Sequence, residues 1–293
     1  MDTKHLAKEI KKIGREINPE SLGNTRKLYT PLHPIAPFEG VEIHRDILYA
    51  EDERNRLDLF NASGQRDQLL PVLIYVHGGG FIGGDKYTPG TPFYDNVGVW
   101  AVRNGLIGVN ITHRLAPQHQ WPAAIEDIAS AVEWIRNHGE QYGIDVNRVF
   151  LMGQSAGAAH AASYVAHPEI HKTNAHGHKG VILMSPVVNL LTLEPDDLTR
   201  AYFGKDTSLY SDRSSLQGLK QSNIPIMLVI PEHEVDFFEN QALEILAALK
   251  ERDNRLPRFI HLIGHNHLSG ILHLGLEGDQ LGPQILDFIN SGH

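Results

Sequence analysis

Four stretches of this 293-residue chain carry side chains that could do covalent chemistry. The first is Gly153-Gln154-Ser155-Ala156-Gly157, which directly follows the apolar run Val149–Met152 and precedes an Ala-rich helical pattern, Ala158 to Ala166. A strand that turns sharply into a helix can present a serine hydroxyl at the tip of the turn, at the positive end of the helix. So tight a turn demands neighbours almost without side chains, which accounts for Gly153, Ala156 and Gly157. The second stretch, His77-Gly78-Gly79-Gly80-Phe81, ends another apolar run, Leu73–Val76. Consecutive glycines are costly in chain entropy, and here they would let backbone N–H groups approach a substrate oxygen unobstructed. The oxyanion of acyl transfer needs such donors, and the N–H of the residue after the serine, Ala156, would join them. No Gly-Lys-Ser/Thr follows and the pattern is not Gly-x-Gly-x-x-Gly, so a phosphate cradle fits less well. His77 reads as a residue that holds this loop and not as a proton carrier.

A nucleophilic serine needs a base and an acid to orient it. After the late apolar run Phe259–Ile263 come His265 and His267, both in a loop, whereas His261 falls within the strand. Position matters more than identity here, because the chain has 18 histidines. The His-x-His spacing could be half of a metal site, but no third ligand accompanies it. After the preceding run, Ile226–Ile230, the sequence reads Pro231-Glu232-His233-Glu234-Val235-Asp236 and offers three carboxylates. One of them would be buried against the imidazole, and the others would be solvated loop charges.

The elements that must place these groups are legible as periodicities. Strand-like runs occur at Val41–Ala50, Asn55–Phe60, Leu70–Val76, Leu106–Thr112, Arg148–Met152, Gly180–Met184, Ile224–Ile230 and Arg258–Ile263. Helical patterns lie around Pro122–Asn137, Ser155–Ala166, Phe238–Arg252 and Pro283–Ile289. From Leu70 on, the strands are apolar on both faces, which predicts a mostly parallel sheet with helices on both sides, an α/β fold. Leu6, Ile10, Ile13 and Ile17 recur at helical spacing, and Asn18-Pro19 is read as the end of that helix. Residues 19–40 then form a proline-rich irregular connector. Residues 1–40 together are an N-terminal cap, and 189–223 fit neither period and read as a lid-like excursion. The whole chain, 1–293, is taken as one domain.

Composition narrows the partners. A net charge of −9 argues against nucleic acid, whose phosphates require a basic footprint. The chain has no cysteine, so disulfides and thiolate metal sites are excluded. The N-terminal MDTKHLAKEIKKIG lacks the apolar core of a signal peptide, and no run is apolar for about 18 residues, so no membrane span and a cytoplasmic location are expected.

Taken together, these residues resemble the α/β-hydrolase superfamily, and more narrowly the carboxylesterases of the hormone-sensitive-lipase type. The order serine, acid, histidine is that of the superfamily. The segment His113-Arg114-Leu115-Ala116-Pro117 with Trp121-Pro122-Ala123-Ala124-Ile125-Glu126-Asp127 is similar to a further stretch of that group, so the likeness runs from about Val41 to the C-terminus. The resemblance implies an α/β-hydrolase fold with a small N-terminal helical cap and cofactor-free hydrolysis of small to medium carboxylic esters. Ser155 would be acylated, with Gly79, Gly80 and Ala156 as the oxyanion hole. It points to His267 ahead of His265 as base, and to Glu234 as acid, although Glu stands where the group has Asp and Asp236 is the alternative. Phe81, Trp121, Phe237, Tyr202 and Phe203 are candidate pocket walls. His113 replaces the group's usual Tyr. Gln154 replaces the Asp common before the nucleophile, which is similar to feruloyl-esterase-like and arylformamidase-like enzymes and leaves an amidase as the second reading. A hydrolase-fold binding protein without catalysis is the third. Homodimers through the sheet edge are common in the group and compatible with this sequence.

Overall fold

The computed structural model describes residues 3–64, 68–171 and 178–291. Its strands are β1 Val41–Leu48, β2 Arg56–Ala62, β3 Leu70–Val76, β4 Ile107–Ile111, β5 Ile144–Gln154, β6 His178–Met184, β7 Ile226–His233 and β8 Arg258–Asn266. They form one sheet in the order β1-β2-β4-β3-β5-β6-β7-β8. β1 and β2 join antiparallel, and β2 joins β4 antiparallel; every later pairing is parallel. The strands read from the sequence are all present, and the composition explains why. β3 and β4 are buried along their whole length, as parallel strands covered on both faces must be, whereas β1 exposes alternate residues.

The helices are α1 Thr3–Ile13, α2 Pro19–Tyr29, α3 Asp95–Arg103, α4 Ala123–His138, α5 Ala156–Ala166 and α6 Asp197–Phe203. They continue with α7 Tyr210–Arg213, α8 Leu216–Gln221, α9 Asp236–Asp253, α10 Ser269–His273 and α11 Gly282–Asn290. On one face, Val72, Ile74, Val76 and Leu151 pack against α4, α5, α8 and α9. On the other, Leu73, Tyr75, Phe150 and Met152 pack against α1, α2, α3, α10 and α11. Alternate residues of β3 thus feed two separate cores, the period-two rule of a strand. No helix among the described residues is long and apolar enough to cross a membrane.

Two expectations need correction. Residues 19–40 are not an irregular connector throughout, because α2 begins at Pro19. The Asn18 side chain accepts from the Ser21 N–H at 2.9 Å and Pro19 fills the first helical position, so Asn-Pro starts a helix here and Gly14, at φ +87, ends the previous one. The segment 189–223 likewise contains α6, α7 and α8. These are too short for helical periodicity to emerge. α3 was not legible for another reason: Asp95 to Val102 are all buried, so it shows no polar face.

α3 sits close to the sheet because it carries a glycine where it crosses. A Cβ on Gly98 would lie 2.3 Å from the Phe60 ring, and one on Gly108 of β4 would lie 2.7 Å from the Gly98 Cα. Gly98→Ala is therefore expected to cost about 1–3 kcal/mol through overpacking. Thermal unfolding followed by circular dichroism checks this, and an unchanged midpoint would mean that α3 can move away freely.

Candidate active site

Ser155 lies between β5 and α5 with φ 57 and ψ −123, a conformation that non-glycine residues seldom adopt. Contacts on every side hold it there. Its N–H donates to the Met184 carbonyl at 2.8 Å, and its own carbonyl accepts from the Ala159 N–H at 3.0 Å. A Cβ on Gly157 would sit 2.2 Å from the Val76 carbonyl oxygen, and one on Gly153 would sit 2.3 Å from the Gly157 oxygen. The turn is thus packed backbone against backbone, onto the end of β3.

The glycine loop leaves that same strand end. Gly79, Gly80 and Gly84 have φ of +140, +61 and +100, conformations open to glycine. Gly78 faces the serine turn, since a Cβ there would lie 2.6 Å from Gln154 Oε1 and 3.2 Å from Ser155 Cβ. The loop is tied internally by the Gly83 N–H donating to the Gly79 carbonyl at 3.1 Å. His77 Nδ1 donates to the Gly78 carbonyl at 2.8 Å, and Arg54 donates to both the Gly84 and His113 carbonyls. His77 is thus bonded to the loop it precedes.

The three carboxylates at the end of β7 and just past it separate cleanly. Glu234 is fully buried, and its Oε2 lies 2.8 Å from His267 Nδ1. The same oxygen accepts from Ser185 Oγ at 2.5 Å, while Oε1 accepts from the Val235 N–H at 3.0 Å. Asp236 is at the surface, paired with Arg15 at 2.7 Å, and Glu232 accepts from the Gly264 N–H at 2.7 Å. The two histidines separate as well. His267 carries Phe238 stacked on its ring at 4.7 Å, and its carbonyl accepts from Gln154 Nε2 at 3.0 Å. His265 points elsewhere, with Nδ1 3.0 Å from Ser269 Oγ and its ring against His273. Ser155 Oγ makes no hydrogen bond to His267. Glu234 and His267 are bonded to each other, and Gln154, next to Ser155 in the chain, ties the serine turn to the His267 carbonyl.

Ser185 and Arg54 carry little functional signal in the sequence, and Gln154 stands out there only as the residue that replaces Asp before the nucleophile. Ser185 sits in the left-handed region, φ 49, just past β6, and a polar residue at the end of a core strand is the only hint that the sequence offers. Among the aromatic candidates, Phe81 is buried, stacked on Tyr202 at 5.1 Å with the rings nearly parallel. Tyr202 and Phe203 are buried beside it, and Trp121 packs between His167 and Arg213. These rings form one body behind the loop. Phe237 alone of the five is exposed. The N-terminal helices reach the other flank: a Cβ on Gly264 would meet the Ala7 Cβ at 2.9 Å, and Asn266 donates to Thr25 Oγ1 at 3.0 Å.

Known proteins share this arrangement of elements. A family model described as BD-FAE matches residues 57–215. Esterase LipI of Mycobacterium tuberculosis is 46% identical over 93 residues, covering 31% of this chain and 28% of that protein. Probable carboxylesterase 13 of Arabidopsis thaliana is 27% identical over 243 residues, covering 74% of this chain and 71% of its own. Several curated relatives are matched over only 27% to 39% of their length. Esterase B from Lactobacillus rhamnosis superimposes with a TM-score of 0.76 at 19% identity, covering 99% of this chain and 96% of that one. The fold is that of the α/β-hydrolases.

Behind the glycine loop, His77 stacks on His113 at 4.5 Å, and His113 meets His160 edge-on at 4.7 Å. Burial holds the His77 imidazole down to about 4 and that of His160 to about 3, and it takes His113 well below the ordinary range. Burial likewise takes His265 down to about 3. The unfolded chain binds these protons near the usual histidine value of about 6.5, so it is the better proton acceptor. Stability is then full above about pH 6.5 and falls as pH drops towards the folded values, by up to about 1.4 kcal/mol per pH unit for each group. His160→Phe keeps the aromatic packing and removes one such group. Its unfolding free energy should fall less steeply between about pH 6 and pH 4, by roughly one proton's worth. Denaturant melts across that range check this, and an unchanged slope would contradict it.

Proposed function

From the premise that the chain belongs to the BD-FAE family, we propose that it is a serine carboxylesterase acting on small to medium carboxylic esters. The observation that carries the proposal is the buried Glu234–His267 pair at 2.8 Å beside the strained serine turn. A carboxylate on Nδ1 fixes the imidazole tautomer, leaving Nε2 as the proton acceptor, and stabilises the imidazolium once it forms. The names of the relatives, esterases and carboxylesterases, support the same reaction class.

In the mechanism, Ser155 Oγ attacks the ester carbonyl carbon as His267 Nε2 takes its proton. Negative charge gathers on the carbonyl oxygen, which the amides of Gly79, Gly80 and Ala156 stabilise. A donor of this kind is typically worth about 3–4 kcal/mol in the transition state. The tetrahedral intermediate collapses, the C–O bond to the alcohol breaks, and His267 returns the proton to the leaving oxygen. Water, deprotonated by His267, then attacks the acyl-enzyme and frees the acid and Ser155. The residues and water complete the cycle. Residues 1–40 would flank the base as a cap and 189–223 the glycine loop as a lid.

The test is p-nitrophenyl acetate turnover in single variants. Ser155→Ala and Glu234→Ala should each lower kcat by about 10⁴-fold. Asp236→Ala should stay within about threefold, because it removes only a surface ion pair. Collapse in Asp236→Ala with Glu234→Ala spared would overturn the assignment. Anilide turnover matching ester turnover would make the enzyme an amidase instead.

A further inference from the structure

Gly80 has a neighbour that the reaction does not need. A Cβ on Gly80 would lie 3.0 Å from Leu198 Cδ1 and 3.6 Å from Cδ2, so the leucine head rests on the loop that would hold the oxyanion. Leu198 is in the first turn of α6, where the Asp196 side chain accepts from the Thr199 N–H at 2.7 Å. The far end of that helix is pinned. The Trp121 N–H donates to the Tyr202 carbonyl at 2.9 Å, Gln120 to that of Ala201 at 3.1 Å, and Arg213 to that of Phe203. Tyr202 and Phe203 are buried, yet Leu198 on the same helix is 38% exposed. A lone surface leucine is ordinary. This one rests against a bare glycine of the loop that would bind the substrate carbonyl.

A second apolar group lies at the imidazole, where Phe238 stacks on His267 and Phe237 meets Phe238 edge-on at 4.8 Å. In ester cleavage the leaving oxygen must sit within hydrogen-bond reach of the imidazole nitrogen that protonates it. The carbonyl oxygen points into the glycine loop, so the acyl chain is the substituent left on the side away from His267. We propose that Leu198 is a specificity-determining residue that limits the length of the acyl chain, a reading that rests on the ester hydrolysis proposed above. Removing three carbons of side chain opens that side, and in an apolar pocket one methylene already changes discrimination by about 10–200-fold.

The experiment measures kcat/KM for p-nitrophenyl esters from acetate to decanoate, and for acetates of alcohols of increasing size. Wild type, Leu198→Ala, Leu198→Phe and Phe237→Ala are compared. Leu198→Ala should raise the octanoate-to-acetate ratio at least about tenfold. Leu198→Phe should lower it, and Phe237→Ala should move the alcohol series while leaving the acyl series in place. Circular dichroism melts establish that each variant is folded. An acyl profile that is the same in wild type and both Leu198 variants overturns the proposal, as does a shift confined to the alcohol series. If wild type turns over no ester at all, ester hydrolysis itself fails and this inference with it. Ester turnover with an unmoved acyl profile sinks only the role of Leu198.

Discussion

The contact on which the site depends is one of backbone against backbone, where the ends of β3 and β5 meet. Gly157 has no room for a Cβ because the carbonyls of Val76 and His77 lie 2.2 and 2.5 Å from where it would be. This seats the serine turn directly on the end of β3, where the glycine loop begins. It also explains the strain at Ser155. The positive φ costs of order 1–3 kcal/mol, and the surrounding contacts impose it. Strand order adds the rest: β6, β7 and β8 follow β5 in sequence as neighbours, so the ends of β7 and β8 deliver an acid and a histidine to the same edge. An open parallel sheet binds its ligands outside the carboxyl ends of its strands, and here all four loops meet there.

Side chains then bind these loops to one another. Gln154 donates to the His267 carbonyl, and its Oε1 lies over Gly78, so the residue before the serine touches both the His267 loop and the glycine loop. A neutral amide suits that place because it donates to a carbonyl, which a carboxylate cannot do. Ser185 donates to the Glu234 oxygen that also faces the imidazole, fixing the carboxylate from the strand between. Arg114 pairs with Asp127 at 2.8 Å and Glu126 at 2.8 Å, and so accounts for the spacing of the His113–Pro117 and Trp121–Asp127 segments. Its role is to hold the chain after β4 onto α4.

Much of this was legible in the chain itself, for physical reasons that differ by residue. Strands apolar on both faces announce a covered parallel sheet. The glycines around Ser155 and after His77 announce close approach, because no generic loop needs them. The choice of Glu234 over Asp236, and of His267 over His265, came only through resemblance. In space the distinction is plain, since one carboxylate is buried on an imidazole and the other meets Arg15 at the surface. Three things were hidden. α3 lacks an amphipathic pattern because it is buried all round. α2 was concealed by Asn18-Pro19, a pair that can stop one helix and cap the next. Leu198 and Ser185 owe their positions to tertiary contacts alone, and no spacing in sequence encodes those.

The central claim is that Ser155 is the group acylated in turnover, and covalent labelling measures this most directly. Folded protein treated with a fluorophosphonate, digested and read by tandem mass spectrometry should carry a single phosphonyl adduct on the peptide containing Ser155. Ser155→Ala should carry none. An unlabelled wild type of intact fold, or an adduct on any other residue, would contradict the account.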